Sequence, residues 1–113
     1  MGVNKAQQEL ARDVARLILF VNEQGWGCRF EWAYRSHAVQ QGLVEAGKSR
    51  TMKSRHLDRL AVDLTFFDPD GRPIWDKDAL QQFGDYFEAL NPKNRWGGNW
   101  TSFVDTPHFE RRP

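Results

Sequence analysis

"SRHLDRLAVDLTFF", residues 54–67, decides how this chain folds. Its second half, "LAVDLTFF" at 60–67, sets Leu60, Val62, Leu64 and Phe66 on one face and Ala61, Asp63 and Thr65 on the other. Such alternation predicts a buried strand. Asp63 stands out, because a carboxylate inside a buried strand is costly unless it is paired or bound to a metal. Seven positions earlier stands His56, one of 3 histidines in the chain. A solvated loop would account for His56 but not for Asp63.

On the N-terminal side, Leu10, Val14, Leu17, Ile18 and Val21 recur at helical spacing, predicting an amphipathic helix over 4–24 that ends at Gly25. "CRFEWAYR", 28–35, alternates as a strand, with Cys28, Phe30, Trp32 and Tyr34 as an aromatic face and Arg29, Glu31, Ala33 and Arg35 opposite. Cys28 reads as a small core residue. Ser36 caps a second helix running to about Ala46, and "KSRTMKSRH" follows as a basic loop. After the strand at 60–67, "DPDGRP" is a turn. Asp76 caps a third helix whose buried stripe is Leu80, Phe83, Phe87 and Leu90. "NPKN" breaks it, "RWGGNW" is a glycine-rich aromatic loop, and "PHFER" is a short last strand. The expected fold class is α+β, residues 1–113 forming a single compact domain in which helices pack on a small antiparallel sheet.

With 113 residues the chain suffices for one core. Hydrophobic residues at 40% and aromatics at 13% mark it as globular. A net charge of +1 gives no general case for nucleic acid or an anionic membrane as partner. Cys28 alone cannot form an internal disulfide. The first residues, interrupted by Glu9, Arg12, Asp13 and Arg16, are not a secretory signal, and no run approaches the roughly 20 apolar residues of a membrane span. A soluble monomer made in the cytoplasm, with no stable membrane association, is expected.

Three candidate metal ligands stand out: His56, Asp63 and His108. A catalytic zinc takes three protein ligands from histidine and carboxylate and keeps a fourth position for water. A further carboxylate must then move that water's proton to the leaving group. Asp105, three residues before His108 in "DTPH", can serve, with Glu110 and His37 as the next candidates. Histidine spacing alone is a weak signal, and no HExxH helix is present. Read from the residues, the chain is a candidate mononuclear metal hydrolase.

"SRHLDRLAVD" resembles the SxHxxGxAxD signature of the zinc peptidases that cut peptidoglycan stem peptides: D-alanyl-D-alanine carboxypeptidases and dipeptidases, with the phage L-alanyl-D-glutamate endopeptidases. "WGGNWTSFVDTPHFE" is similar to their second signature and "YRSHAVQ" to a third, RSxxxQ. All three occur in order over residues 34–110. The resemblance implies a D-Ala-D-Ala peptidase (hedgehog-like) fold. It implies Zn2+ on His56, Asp63 and His108, Asp105 as acid/base, and Arg35 as the cation that steadies the oxyanion. Ser54 and Gln40 match motif positions as supporting residues, and Trp96 and Trp100 would wall the cleft. Arg59 departs from the pattern, standing where the family has glycine, a residue that permits backbone shapes others resist.

The activity so implied is hydrolysis of the L-alanyl-D-glutamate bond of the peptidoglycan stem peptide, in a phage or prophage endolysin reaching the periplasmic wall after membrane permeabilisation. A D,D- or L,D-carboxypeptidase, or a non-catalytic zinc-containing wall-binding domain, is the alternative. The basic stretch Lys48, Arg50, Lys53, Arg55 and Arg59 is a solvated loop or an attractor of the substrate's carboxylates.

Overall fold

Periodicity and caps determine where each helix begins and ends. In the computed structural model, which describes residues 2–113, helix α1 spans Gly2–Glu23 and buries Leu10, Val14, Leu17 and Val21. Ser36 caps helix α2 (His37–Glu45) by accepting from the Val39 amide at 3.2 Å. Asp76 caps helix α3 (Lys77–Leu90) by accepting from the Ala79 amide at 3.0 Å. The strands are β1 (Gly27–Trp32), β2 (Ala61–Phe67), β3 (Pro73–Ile74), β4 (Asn94–Trp96) and β5 (His108–Arg111). They form one antiparallel sheet in the order β1-β2-β5-β4, with β3 also paired to β2.

Helices α1 and α3 cover one face of this sheet. Val62, Leu64 and Phe66 of β2 meet Leu10, Val14, Leu17, Leu80, Phe83 and Phe87 there, joined by Phe109 and Trp96. The expected α+β domain with a small antiparallel sheet is the fold observed. Leu90 is only half-buried, so the stripe of α3 ends at Phe87. "RWGGNW" contains a short strand, β4, and a 3-10 turn at Gly97–Asn99. No helix among the described residues is long and apolar enough to cross a membrane.

Strand β1 departs from the expected pattern. Phe30 pairs with Leu64, but a bulge follows and Trp32 pairs with Asp63. One extra residue turns the chain over. Trp32 therefore faces the polar side of the sheet instead of continuing the aromatic face. β1 is also an edge strand, and Phe30 and Tyr34 remain 61% and 46% exposed at the margin of the helical layer. Cys28 is half-buried against the core. Arg35 lies beyond the strand and is buried.

Candidate metal centre and active site

His56 sits on a 3-10 helix, Arg55–Asp58, that leads into β2. Ser54 caps that helix, its Oγ accepting from the His56 amide at 3.2 Å. Arg59 ends it in the left-handed conformation, φ 57° and ψ 33°, where glycine is ordinarily favoured. The Arg59 guanidinium stacks on Tyr34, 4.0 Å from the ring centre, which offsets part of that strain. The departure from the family's glycine therefore leaves the turn intact and places a cation on its outer side.

Asp63 and His108 are cross-strand partners in the β2–β5 register. Oδ1 of Asp63 lies 3.1 Å from His56 Nε2 and 3.2 Å from His108 Nδ1. The ligand atoms of His56, Asp63 and His108 are all within 4.8 Å of one another. On the far side of each ring the tautomer is dictated. His56 Nδ1 lies 2.8 Å from the Ala33 carbonyl, which can only accept, so that nitrogen carries the proton. His108 Nε2 lies 2.8 Å from Glu110 Oε1 and donates to it.

Both imidazoles thus turn a lone pair toward a carboxylate oxygen, an arrangement that is attractive only when a shared cation sits among them. Tetrahedral ligands at about 2.0–2.2 Å from a divalent metal lie about 3.3–3.6 Å apart, close to the two distances from Asp63 Oδ1 to the histidines. Outer partners that fix the ring tautomers complete a metal-ligating set. The residues fit a mononuclear site with a position left open. In the metal-free protein a proton serves instead. Burial opposes the imidazolium of His108, but its bonds to Asp63 and Glu110 outweigh this and hold it at about 9. Burial likewise opposes ionised Asp63, yet the two histidines bring its carboxyl well below the usual range.

Around this centre lies a cleft of about 590 Å³. Arg35 donates from Nη2 to Asp63 Oδ2 and from Nη1 to Gln40 Oε1, each at 3.0 Å. Its buried Nε has no partner among the described residues. Gln40, fully buried, also donates to Ser49 Oγ at 2.8 Å and to the Thr51 carbonyl at 2.6 Å, tying α2 to the basic loop. Asp105 lines the cleft, and burial pushes its carboxyl above the ordinary range. Its amide donates to the Gly97 carbonyl at 3.0 Å, and its carbonyl accepts from the His108 amide at 3.1 Å. A Cβ on Gly97 would lie 2.3 Å from the Asp105 carbonyl oxygen, so glycine is required there.

His56, Asp63, His108, Asp105, Arg35, Ser54 and Trp100 all line the cleft. Trp96 does not. It is fully buried in the core, because Gly84 and Gly98 make room for its ring, and its Nε1 donates to the Thr106 carbonyl at 2.8 Å. It supports the segment that carries Asp105 and His108 instead of walling the cleft. His37 is exposed and lies outside the cleft lining. Glu110, read from the sequence only as a substitute base, is the partner that orients His108. The spacing of His108 and Glu110, two apart on a strand, is the local signal for that role.

Residues 47–111 match the family described as D-alanyl-D-alanine carboxypeptidase. The chain belongs to this family. The L-alanyl-D-glutamate peptidase of Listeria phage A118 is 26% identical over 113 residues, covering 96% of this chain and 39% of the relative. The peptidoglycan L-alanyl-D-glutamate endopeptidase CwlK of Bacillus subtilis (strain 168) is 31% identical over 96 residues, covering 71% of this chain and 58% of the relative. The chain thus spans less than two thirds of either curated relative. The crystal structure of the Serratia marcescens L-Ala D-Glu endopeptidase ChiX matches with a TM-score of 0.74 and 31% identity, over 93% of this chain and 79% of that one. The family is the one implied by the three sequence motifs.

Proposed function

We propose that this chain is a zinc-dependent peptidoglycan peptidase that hydrolyses the L-alanyl-D-glutamate bond of the stem peptide. The observation that carries the reading is the convergence of His56 Nε2 and His108 Nδ1 on Asp63 Oδ1, in a cleft that Asp105 and Arg35 also line. The printed activities of the three relatives favour this bond. The site is bounded by residues 35–108, and we take residues 1–113 as one catalytic domain working as a monomer.

His56, Asp63 and His108 would hold the metal, which when bound supplies the Lewis acidity that polarises water and the scissile carbonyl. Asp105 takes the proton of the attacking water as the new C–O bond forms. It returns that proton to the leaving amine as the C–N bond breaks. Its raised proton affinity suits both halves of that exchange. Arg35, anchored through both terminal nitrogens and lining the cleft, would supply the positive charge that steadies the oxygen on which negative charge develops. Trp100, whose ring centre lies 5.0 Å from that of His108, covers the ligand from the cleft side.

The site of action is the bacterial wall, and the phage relative supports a role in phage lysis. A D,D- or L,D-carboxypeptidase is the second reading, favoured by the family's description. A wall-binding domain without catalysis would have no use for Asp105 and Arg35 beside the ligands. Digesting purified peptidoglycan with the zinc-loaded protein, followed by mass spectrometry of the muropeptides, tests the proposal. New alanine C-termini paired with glutamate N-termini are expected. Loss of terminal D-alanine alone would establish the carboxypeptidase, and no cleavage would leave the binding domain.

A further inference from the structure

The walls of the cleft differ in chemistry. One is formed by the loop between α2 and the 3-10 helix, with Lys48, Arg50 and Lys53, and by Arg55 at the start of that helix; the other carries Trp100, Phe103 and Val104. The whole chain is almost neutral, at +1, so this concentration of cations is local. On the cleft floor, a bound dication together with Arg35 would balance the carboxylates of Asp63, Asp105 and Glu110. Arg55 is 3.9 Å from Asp58. Lys48, Arg50 and Lys53 have no ion-pair partner among the described residues and are the excess charge of the cleft.

An ordinary solvated loop would leave such cations free to wander. Here the loop is held at its centre by the buried amide of Gln40, which donates to Ser49 and Thr51 on either side of Arg50. Arg50 itself lies over the ring of Phe103, 4.7 Å from its centre, and so reaches from the cationic wall to the apolar one. The loop backbone and Arg50 are therefore held at the cleft, which Lys48 and Lys53 also line.

A glutamyl residue within a peptide uses one of its two carboxyls to continue the chain and leaves the other free. Hydrolysis on the amino side of D-glutamate would bring that free carboxylate close to the scissile bond. We infer that Lys48, Arg50 and Lys53 form a specificity wall that selects peptides carrying a free carboxylate beside the scissile bond. The inference rests on the proposed peptidase reading and extends it to the form of the substrate: a stem peptide whose glutamyl carboxylate is amidated is a poor one. The wall acts on capture more than on the chemical step, because Lys48, Arg50 and Lys53 are exposed, while His56 and His108 are buried and Asp63 and Asp105 half-buried.

Two synthetic stem peptides test this with the zinc-loaded protein, one with the glutamyl carboxylate free and one with it amidated. The free form should be cut with a kcat/KM roughly tenfold higher, about what three partly screened charge contacts supply together. The triple variant Lys48→Gln, Arg50→Gln, Lys53→Gln should bring the free peptide down to the level of the amidated one, through KM. Zinc content and melting temperature establish that the variant is folded. On the unaltered protein, raising the salt from about 0.05 M to about 0.5 M should shrink the preference as charges are screened. Equal cleavage of both peptides, or a preference that survives in the triple variant or in high salt, would overturn the wall while leaving the peptidase reading intact. Cleavage of neither peptide at the alanine–glutamate bond would overturn both.

Discussion

Asp63 meets both imidazoles through Oδ1 and Arg35 through Oδ2, so a single carboxylate links the proposed metal ligands to the proposed oxyanion cation. Glu110 holds the outer nitrogen of His108 in place. Outer-shell carboxylates of this kind typically contribute 10–100-fold in metal affinity. Glu110→Gln should weaken zinc binding by about that factor in a competition titration, with less effect on kcat at saturating zinc. The same contacts set a pH dependence for the metal-free protein. His108 is raised from 6.5 to about 9 on folding, so its contribution to stability is complete below pH 6.5 and is lost as the pH climbs through 9. Asp63 is lowered from 3.8, so its contribution holds above that value and disappears as the pH falls below it. Melting temperatures of the chelated protein should therefore decline between pH 6.5 and 9, while the gain from added zinc grows over the same range. A flat chelated profile would mean that His108 is not held as described.

Elements show where local pattern succeeds and where it fails. β2 was legible because a strict two-residue alternation separates Leu60, Val62, Leu64 and Phe66 from Asp63. β1 was not, since nothing in "CRFEWAYR" marks the bulge that turns Trp32 toward Asp63. The Trp96 pocket was also hidden, because it joins glycines 14 residues apart in the chain, Gly84 on α3 and Gly98 after β4. A Cβ at either would lie 2.1 or 2.2 Å from the indole. Gly98→Ala should destabilise by about 1–3 kcal/mol, as overpacked cores do, and move the Asp105 segment through the Trp96–Thr106 bond. Thermal unfolding checks the first effect and zinc affinity the second. Arg59→Gly should behave differently. It relieves a left-handed residue but loses the Tyr34 stack and gains chain entropy, so the melting temperature should change little and zinc content should hold. A large gain in activity would mean that Arg59 distorts the loop.

At the scale of the molecule, the sheet separates a helical core layer from a face that carries the cleft. Four segments meet on that face: Arg35 after β1, the loop and 3-10 helix of 48–58, Asp63 in β2, and 100–110 running into β5. On the other side, buried Arg111 of β5 binds Glu9 and Asp13 of α1 at 2.6 and 2.7 Å, fastening the first helix to the strand that bears His108. The meeting of His56, Asp63 and His108 was legible because the motifs match in order. The links between segments were not: Gln40 to the basic loop, Ala33 to His56 and Arg111 to α1 depend on distant pairings without a local signature. In the proposed mechanism Asp105 moves the proton at a metal site it does not help to build. Asp105→Asn tests it most directly, with zinc content and wall-digesting rate measured on the same preparation. About one zinc per chain is expected, unchanged from the parent, with a rate lower by roughly a hundred- to ten-thousand-fold. Loss of zinc, or a rate that does not fall, would contradict it.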